Sequence, residues 1–193
     1  MCGFVGFTNY INNSNIVLEN MMNKIIHRGP DSGGTYIDDG IALGFRRLSI
    51  IDLAQGDQPI LNEDGSKVLL FNGEIYNFQS IREKLIAAGH KFKTKTDSEV
   101  LLHGYEEYGK NLLNMLRGMF AFVIWDKNTK ELFGARDFFG IKPLYYSLSG
   151  KSFLFGSEIK SFLPHPHFKK EMNEDALENY LTFQYSPCNE TFF

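Results

Sequence analysis

Met119-Phe120-Ala121-Phe122-Val123-Ile124-Trp125, then Asp126-Lys127-Asn128-Thr129-Lys130, then Glu131-Leu132-Phe133-Gly134-Ala135-Arg136 reads as strand, polar turn and returning strand. The apolar run is rich in aromatic and β-branched residues, which pack well on a pleated surface. Leu144–Leu148 and Ser152–Phe155 repeat the pattern around Ser149-Gly150. Earlier in the chain, Phe4–Tyr10, Ile41–Ile51 and Lys67–Tyr76 read as strands, with a turn at His27–Gly34 and a polar loop before Lys67. The last two of these strands could pair as a hairpin. Strands that follow one another through turns favour antiparallel sheets with packed helices, an α+β class, over a doubly wound parallel sheet.

Four helices are expected. Ile16–Ile26 is amphipathic, with Ser14 or Asn15 as caps. Asn77–Ala88 places Ile81, Leu85 and Ala88 near one face, with Gly89 as its stop. Thr96 and Glu99 match a capping box for a helix running to Tyr108, and Glu174–Phe183 is the last.

At 193 residues the chain suits a single domain, taken as 1–193. Its 43% apolar and 22% charged content is that of a folded globular protein, and a net charge of -3 with no basic run speaks against nucleic acid and anionic membranes as partners. The apolar runs are too short to cross a bilayer, and the start lacks the pattern of a signal peptide, so a cytoplasmic location is expected. Cys2 and Cys188 stand at opposite ends of the chain, a spacing that suggests neither disulfide nor zinc site, and no metal is expected.

Cys2 carries the first piece of chemistry. With Met1 trimmed it becomes the terminal residue and brings a thiol together with a free α-amine, whose pKa of roughly 7.7–8.0 suits a base. Alone, it also fits a small buried thiol at the start of a strand. The second piece is Phe71-Asn72-Gly73-Glu74-Ile75-Tyr76-Asn77, where a carboxamide donor and a glycine interrupt an apolar strand. An Asn NH2 and a neighbouring Gly N–H can stabilise the oxyanion of an acyl-transfer intermediate. An ordinary Asn-Gly turn is the plain alternative, weakened because the segment runs on into a helix. Arg47 and Asp97 suit an amino acid's α-carboxylate and α-ammonium. Alternation places Arg46 and Arg47 on opposite faces of their strand.

Cys2-Gly3, His27-Arg28-Gly29-Pro30-Asp31-Ser32, Arg47-Leu48-Ser49-Ile50-Ile51-Asp52, Asn72 to Asn77 and Thr96-Asp97-Ser98-Glu99, in that order, resemble the glutaminase domain of glutamine-hydrolysing asparagine synthetases. Gly118 to Phe122, Arg136 to Tyr146 and Phe155 to Lys160 extend the resemblance over nearly the whole chain. It implies a class II glutamine amidotransferase with the N-terminal nucleophile hydrolase fold: two stacked antiparallel sheets between helical layers. It implies Cys2 as nucleophile, with Asn72 and the Gly73 N–H as oxyanion hole. Arg47 would take the α-carboxylate, Asp97 and Glu74 the α-amine, and the backbone of Leu48, Ser49, Ile50 and Ile51 would line the pocket. Arg28 and Gly29 would shape the loop beside Cys2, while Arg136 and Asp137 would serve structure as an ion pair.

The Ser-Gly-Gly-x-Asp-Ser loop of the family's ATP-dependent C-terminal domain is missing from this sequence. The partners implied are therefore L-glutamine and a synthetase domain in cis or in trans, with a homodimer left open. No cofactor is expected here; ATP and Mg belong to the missing domain. The nearest rival is a domain of the same build serving another acceptor, such as a sugar in surface-polysaccharide synthesis. A module that senses glutamine without cleaving it is the more distant one.

Overall fold

The computed structural model describes residues 2–9, 11–48, 57–187 and 189–192. In chain order its elements are β1 (Gly3–Thr8), α1 (Ser14–Lys24), β2 (Ser32–Ile37), β3 (Ile41–Arg47), β4 (Ile60–Leu61), β5 (Lys67–Ile75), α2 (Phe78–Ala87), α3 (Ser98–Tyr108), β6 (Gly118–Asp126), β7 (Glu131–Arg136), β8 (Tyr145–Ser149), β9 (Ser152–Gly156) and α4 (Glu174–Phe183). They build two antiparallel sheets, one ordered β2-β3-β1-β9-β8 and the other β4-β5-β6-β7.

Strand alternation sorts the core into layers. Phe4, Leu43 and Phe45 from the first sheet meet Val68, Leu70, Ala121, Val123 and Trp125 from the second, filling the space between the sheets. The opposite face of the first sheet, with Val5, Phe7 and Ala42, is covered by Leu18, Met21 and Met22 of α1. Leu69, Phe71, Phe120 and Phe122 on the outer face of the second sheet pack against Ile81 and Leu85 of α2 and Val100 to Leu102 of α3. The result is the expected α+β stack of helices, sheet, sheet and helices.

The β6–β7 and β8–β9 hairpins form as the sequence predicts, with Phe122 opposite Ala135 and Leu148 opposite Phe153. The hairpin that the Ile41 and Lys67 strands could have made is not formed. β3 pairs with β1 and β2 while β5 pairs with β4 and β6, so the two strands lie in different sheets. Ser32-Gly33-Gly34, read as the end of a turn, begins edge strand β2. Its glycines answer a close approach: a Cβ on Gly34 would stand 2.1 Å from the Gln58 carbonyl oxygen.

Two local expectations are corrected. Ser14 opens α1 instead of capping it, its hydroxyl donating back to the Ile11 carbonyl at 2.7 Å. The capping box at α3 is not made, because Glu99 accepts the Lys93 and Thr94 N–H groups at 3.0 and 2.8 Å and so ties down the preceding loop. The structural reading of Arg136 and Asp137 stands with different partners. Asp137 accepts the N–H groups of Phe120, Ile141 and Lys142, and Arg136 donates to the Lys142 and Gly140 carbonyls. Cys188 and Tyr10 lie outside the described residues.

Candidate active site

Cys2 is half-buried, a free thiol packed against the inter-sheet core just ahead of β1. The Leu48 N–H donates to its Sγ at 3.3 Å, and the thiol faces the Leu48 carbonyl at 3.7 Å. Register brings the two together: Gly3 lies opposite Arg46, so Cys2 falls opposite Arg47, the last residue of β3, with Leu48 next along the chain. Two further bonds fix the start of the strand. Phe4 N–H donates to Ser157 Oγ at 3.0 Å, and Ser157 N–H donates to the Phe4 carbonyl at 2.9 Å.

Arg28 holds Cys2 from the other side, with Nε donating to the Cys2 carbonyl at 3.0 Å and a terminal nitrogen paired with Glu158 at 3.1 Å. His27 reaches the same Glu158 oxygen at 2.8 Å, and Lys160 reaches the other at 3.1 Å. Burial alone would raise the Glu158 carboxyl, but its bonds from Lys160, His27 and Arg28 outweigh that and hold it below the ordinary carboxylate range. Gly29 is seated on β3, where a Cβ would come within 2.3 Å of the Arg46 carbonyl carbon.

Asn72 lies in β5 opposite Ala121, on the same face as Val68 and Leu70, the β5 residues of the core against which Cys2 packs. Its side chain is 4% exposed, and its Nδ2 has no hydrogen-bond partner. A buried, unpaired carboxamide donor costs about 1–3 kcal/mol, so its persistence calls for a functional explanation.

The backbone beside it is equally open. Phe71 sends its N–H to Gln58 Oε1 at 2.6 Å, while Gln58 Nε2 donates to the Phe71 carbonyl at 2.9 Å. Ile75 sends its N–H to Asp97 Oδ2 at 2.8 Å. Both N–H groups point to the edge of β5 away from β6. Gly73, of the same parity, directs its N–H to that edge between them. There β4, which reaches only Leu69 and Val68, has already ended. A Cβ at Gly73 would meet the Met119 carbonyl oxygen at 2.2 Å.

Arg47 shares the inward parity of Leu43 and Phe45 and is 8% exposed; Arg46, on the other face, reaches Asn23 of α1. Arg47 pairs with the exposed carboxylate of Asp57 at 3.1 Å, beside a cleft of about 280 Å³ that Gln58 and Phe45 also line. Asp97 stands at the head of α3, its carboxyl raised above the ordinary range chiefly by burial, with the negative charge of Glu74 adding to it. Glu74 is exposed, on the Asn72 face of β5.

Cys2, Arg28, Gly29, Arg47, Leu48, Asn72, Gly73, Glu74 and Asp97 are all described residues. The first five cluster where β1 and β3 meet, and the last four lie at the end of β5. Ser49, Ile50 and Ile51, also expected in the pocket, lie outside the described residues, as does Met1. Nothing in the sequence marks Asp57 or Gln58, and Ser157 and Glu158 stand in the Phe155–Lys160 stretch of the resemblance without a role. None sits in a pattern of its own, and each acts through a partner at least ten positions away.

The arrangement offers a thiol, an unpaired carboxamide donor, an open backbone N–H, a buried cation and a half-buried carboxylate, which suits acyl transfer from an amino-acid substrate. Residues 1–193 match the family described as a glutamine amidotransferase domain. Asparagine synthetase [glutamine-hydrolyzing] 1 of Bacillus subtilis (strain 168) is 46% identical over 97% of this chain and 30% of its own length. Asparagine synthetase [glutamine-hydrolyzing] 2 of Arabidopsis thaliana is 43% identical over 83% of this chain and 28% of its own. The chain thus spans under a third of either relative. Among solved structures, the Bacillus subtilis glutamine phosphoribosylpyrophosphate amidotransferase complexed with ADP and GMP superposes with a TM-score of 0.69 at 24% identity, over 83% of this chain and 43% of that one, a likeness of fold. On the family match and the fold together, this chain belongs to the glutamine amidotransferase domain family.

Proposed function

We propose that the domain hydrolyses the side-chain amide of L-glutamine to glutamate and ammonia, with Cys2 as nucleophile. The observation that carries this reading is the buried Asn72 Nδ2 without a partner, on the core face against which the Cys2 thiol packs. The thiol sulfur attacks the amide carbon while the α-amine of a Cys2 freed from Met1 takes its proton. The oxyanion that forms accepts hydrogen bonds from Asn72 Nδ2 and the Gly73 N–H. Collapse of the intermediate breaks the carbon–nitrogen bond, the proton leaves with ammonia, and a thioester remains for water to hydrolyse.

Arg47 is placed to exchange its exposed partner Asp57 for the substrate α-carboxylate. The Asp97 carboxylate, with Glu74 beside it, suits the α-ammonium, because a substrate cation would offset the burial that disfavours its charge. Leu48 keeps Cys2 in place, and Arg28 and Gly29 support the loop beside it.

The ammonia serves a synthetase domain in cis or in trans that amidates aspartate, a reading supported by relatives named as glutamine-hydrolysing asparagine synthetases. This domain's own reaction calls for no cofactor; ATP and Mg would be used only by that acceptor domain. No helix among the described residues is long and apolar enough to cross a membrane, in keeping with a cytoplasmic enzyme.

Glutamate and ammonia release from glutamine, measured alongside intact mass, tests the proposal. Parent protein starting at Cys2 should turn over, and Cys2→Ala should not. Glutamine binding without turnover would leave a sensing module instead, and full activity in protein retaining Met1 would remove the α-amine as base.

A further inference from the structure

We propose that His90, His103 and Glu106 form a binding site for a divalent transition-metal ion of the zinc type, separate from the proposed glutaminase site. The cysteine spacing offers no hint of it, since its ligands are imidazole and carboxylate brought together by the fold. His103 and Glu106 are three apart on α3 and so share a face. His90 arrives from beyond α2, where Gly89 at φ 104 turns the chain and the His90 N–H donates to the Leu85 carbonyl at 3.0 Å.

The donor atoms of the three residues lie within 4.8 Å of one another. His103 Nδ1 stands 2.8 Å from Glu106 Oε2, and His90 Nδ1 stands 3.8 Å from the same oxygen. Tetrahedral zinc, with bonds of about 2.0–2.1 Å, sets its ligand atoms roughly 3.4 Å apart, so the first contact must open by about 0.6 Å and the second close by about 0.4 Å, while the two imidazoles draw together from within 4.8 Å, movements within reach of side-chain rotation.

The surroundings orient each ligand. His90 Nε2 lies 3.2 Å from Glu107, a contact that, with Nε2 carrying the proton, leaves Nδ1 as a lone-pair donor facing Glu106. Asn62 Nδ2 donates to Glu106 Oε1 at 2.7 Å, fixing the carboxylate so that Oε2 faces both imidazoles. Glu63 Oε2, 3.9 Å from His103 Nδ1, stands where it or a water would complete the coordination. Phe92 packs edge-on against the His103 ring at 4.8 Å and helps bury it. Two imidazoles favour zinc, cobalt, nickel or copper over magnesium and calcium, which prefer oxygen throughout.

Such an ion would tie the segment after α2, helix α3 and the turn before β5 to one another. Its contribution would be to stability, since it touches none of the groups assigned to glutamine.

The test uses the full chain with Cys2→Ser and Cys188→Ser, so that thiols do not bind metal, stripped with a chelator and titrated with zinc chloride. Calorimetry should give one equivalent, cobalt chloride should give the visible absorption of a tetrahedral nitrogen and oxygen site, and zinc should raise Tm. His90→Gln and Glu106→Gln should each weaken zinc binding at least tenfold and remove the Tm rise, with metal-free melting confirming that both variants fold. Absence of one-equivalent binding in the parent, or undiminished binding in both variants, would overturn the site and leave a hydrogen-bonded network of His and Glu.

Discussion

Asp97 Oδ2 accepts the Ile75 N–H at 2.8 Å, tying the head of α3 to the strand that carries Asn72 and Gly73. The carboxylate proposed to hold the substrate ammonium is thereby braced on the same backbone as the proposed oxyanion hole. Substrate position and transition-state stabilisation then depend on one rigid element, as catalytic precision requires.

Asn72→Ala should lower kcat for glutamine hydrolysis by about 10²–10³-fold with little change in KM, because the oxyanion is present only in and around the transition state. The fold should tolerate the change, since Nδ2 has no partner to lose. Steady-state ammonia release, with a melting curve, checks both parts. An unchanged kcat would remove Asn72 from the oxyanion hole.

Asp97→Asn should weaken glutamine binding roughly 10- to 100-fold, the usual range for a lost charge-assisted contact. It should not cost stability at neutral pH. The folded-state pKa is raised by burial and by Glu74, so ionised Asp97 opposes folding, and an Asn oxygen can still accept the Ile75 N–H. Arg47→Ala should weaken binding similarly. Calorimetric titration with glutamine decides, and parental affinity in either variant would void that residue's assignment.

Gly29→Ala should destabilise the protein by about 1–3 kcal/mol and impair activity, because the added Cβ would lie 2.3–2.5 Å from backbone atoms of Arg46 and Arg47. The strand can yield only by moving Arg47. A urea midpoint equal to the parent's would mean that the loop shifts freely.

His165 makes stability depend on pH. It is 2% exposed, and its Nε2 lacks a partner; burial, helped by the charge of His167, lowers its pKa to about 4. The unfolded chain, with an ordinary imidazole near pH 6.5, binds the proton more readily. The contribution of neutral His165 is therefore whole above pH 6.5 and declines as pH falls toward 4, by on the order of 3 kcal/mol in all. In urea titrations between pH 7 and 4.5, His165→Gln should lose less stability than the parent. Equal losses would place the acid sensitivity elsewhere.

Local patterns were enough to read the hairpins β6–β7 and β8–β9, the existence of all four helices, and the interruption of β5 by Asn72-Gly73, because each depends on neighbours in sequence. Alternation also put Arg46 and Arg47 on opposite faces, although it could not say which faced inward. Only the tertiary structure decided that β3 pairs with β1 and not with β5, since both strands are apolar and either pairing satisfies their pattern; what differs is the long-range packing of two sheets. It decided that Ser32-Gly33-Gly34 is a strand, where weak propensity yields to the close approach of Gln58. It also turned Glu99 away from its expected cap toward Lys93 and Thr94. The meeting of Cys2 with Leu48, the unpaired donor of Asn72 and the isolation of the Gly73 N–H at a strand edge arise from register and from where β4 ends. Those are properties of strands brought together across the chain, which no local stretch of sequence contains.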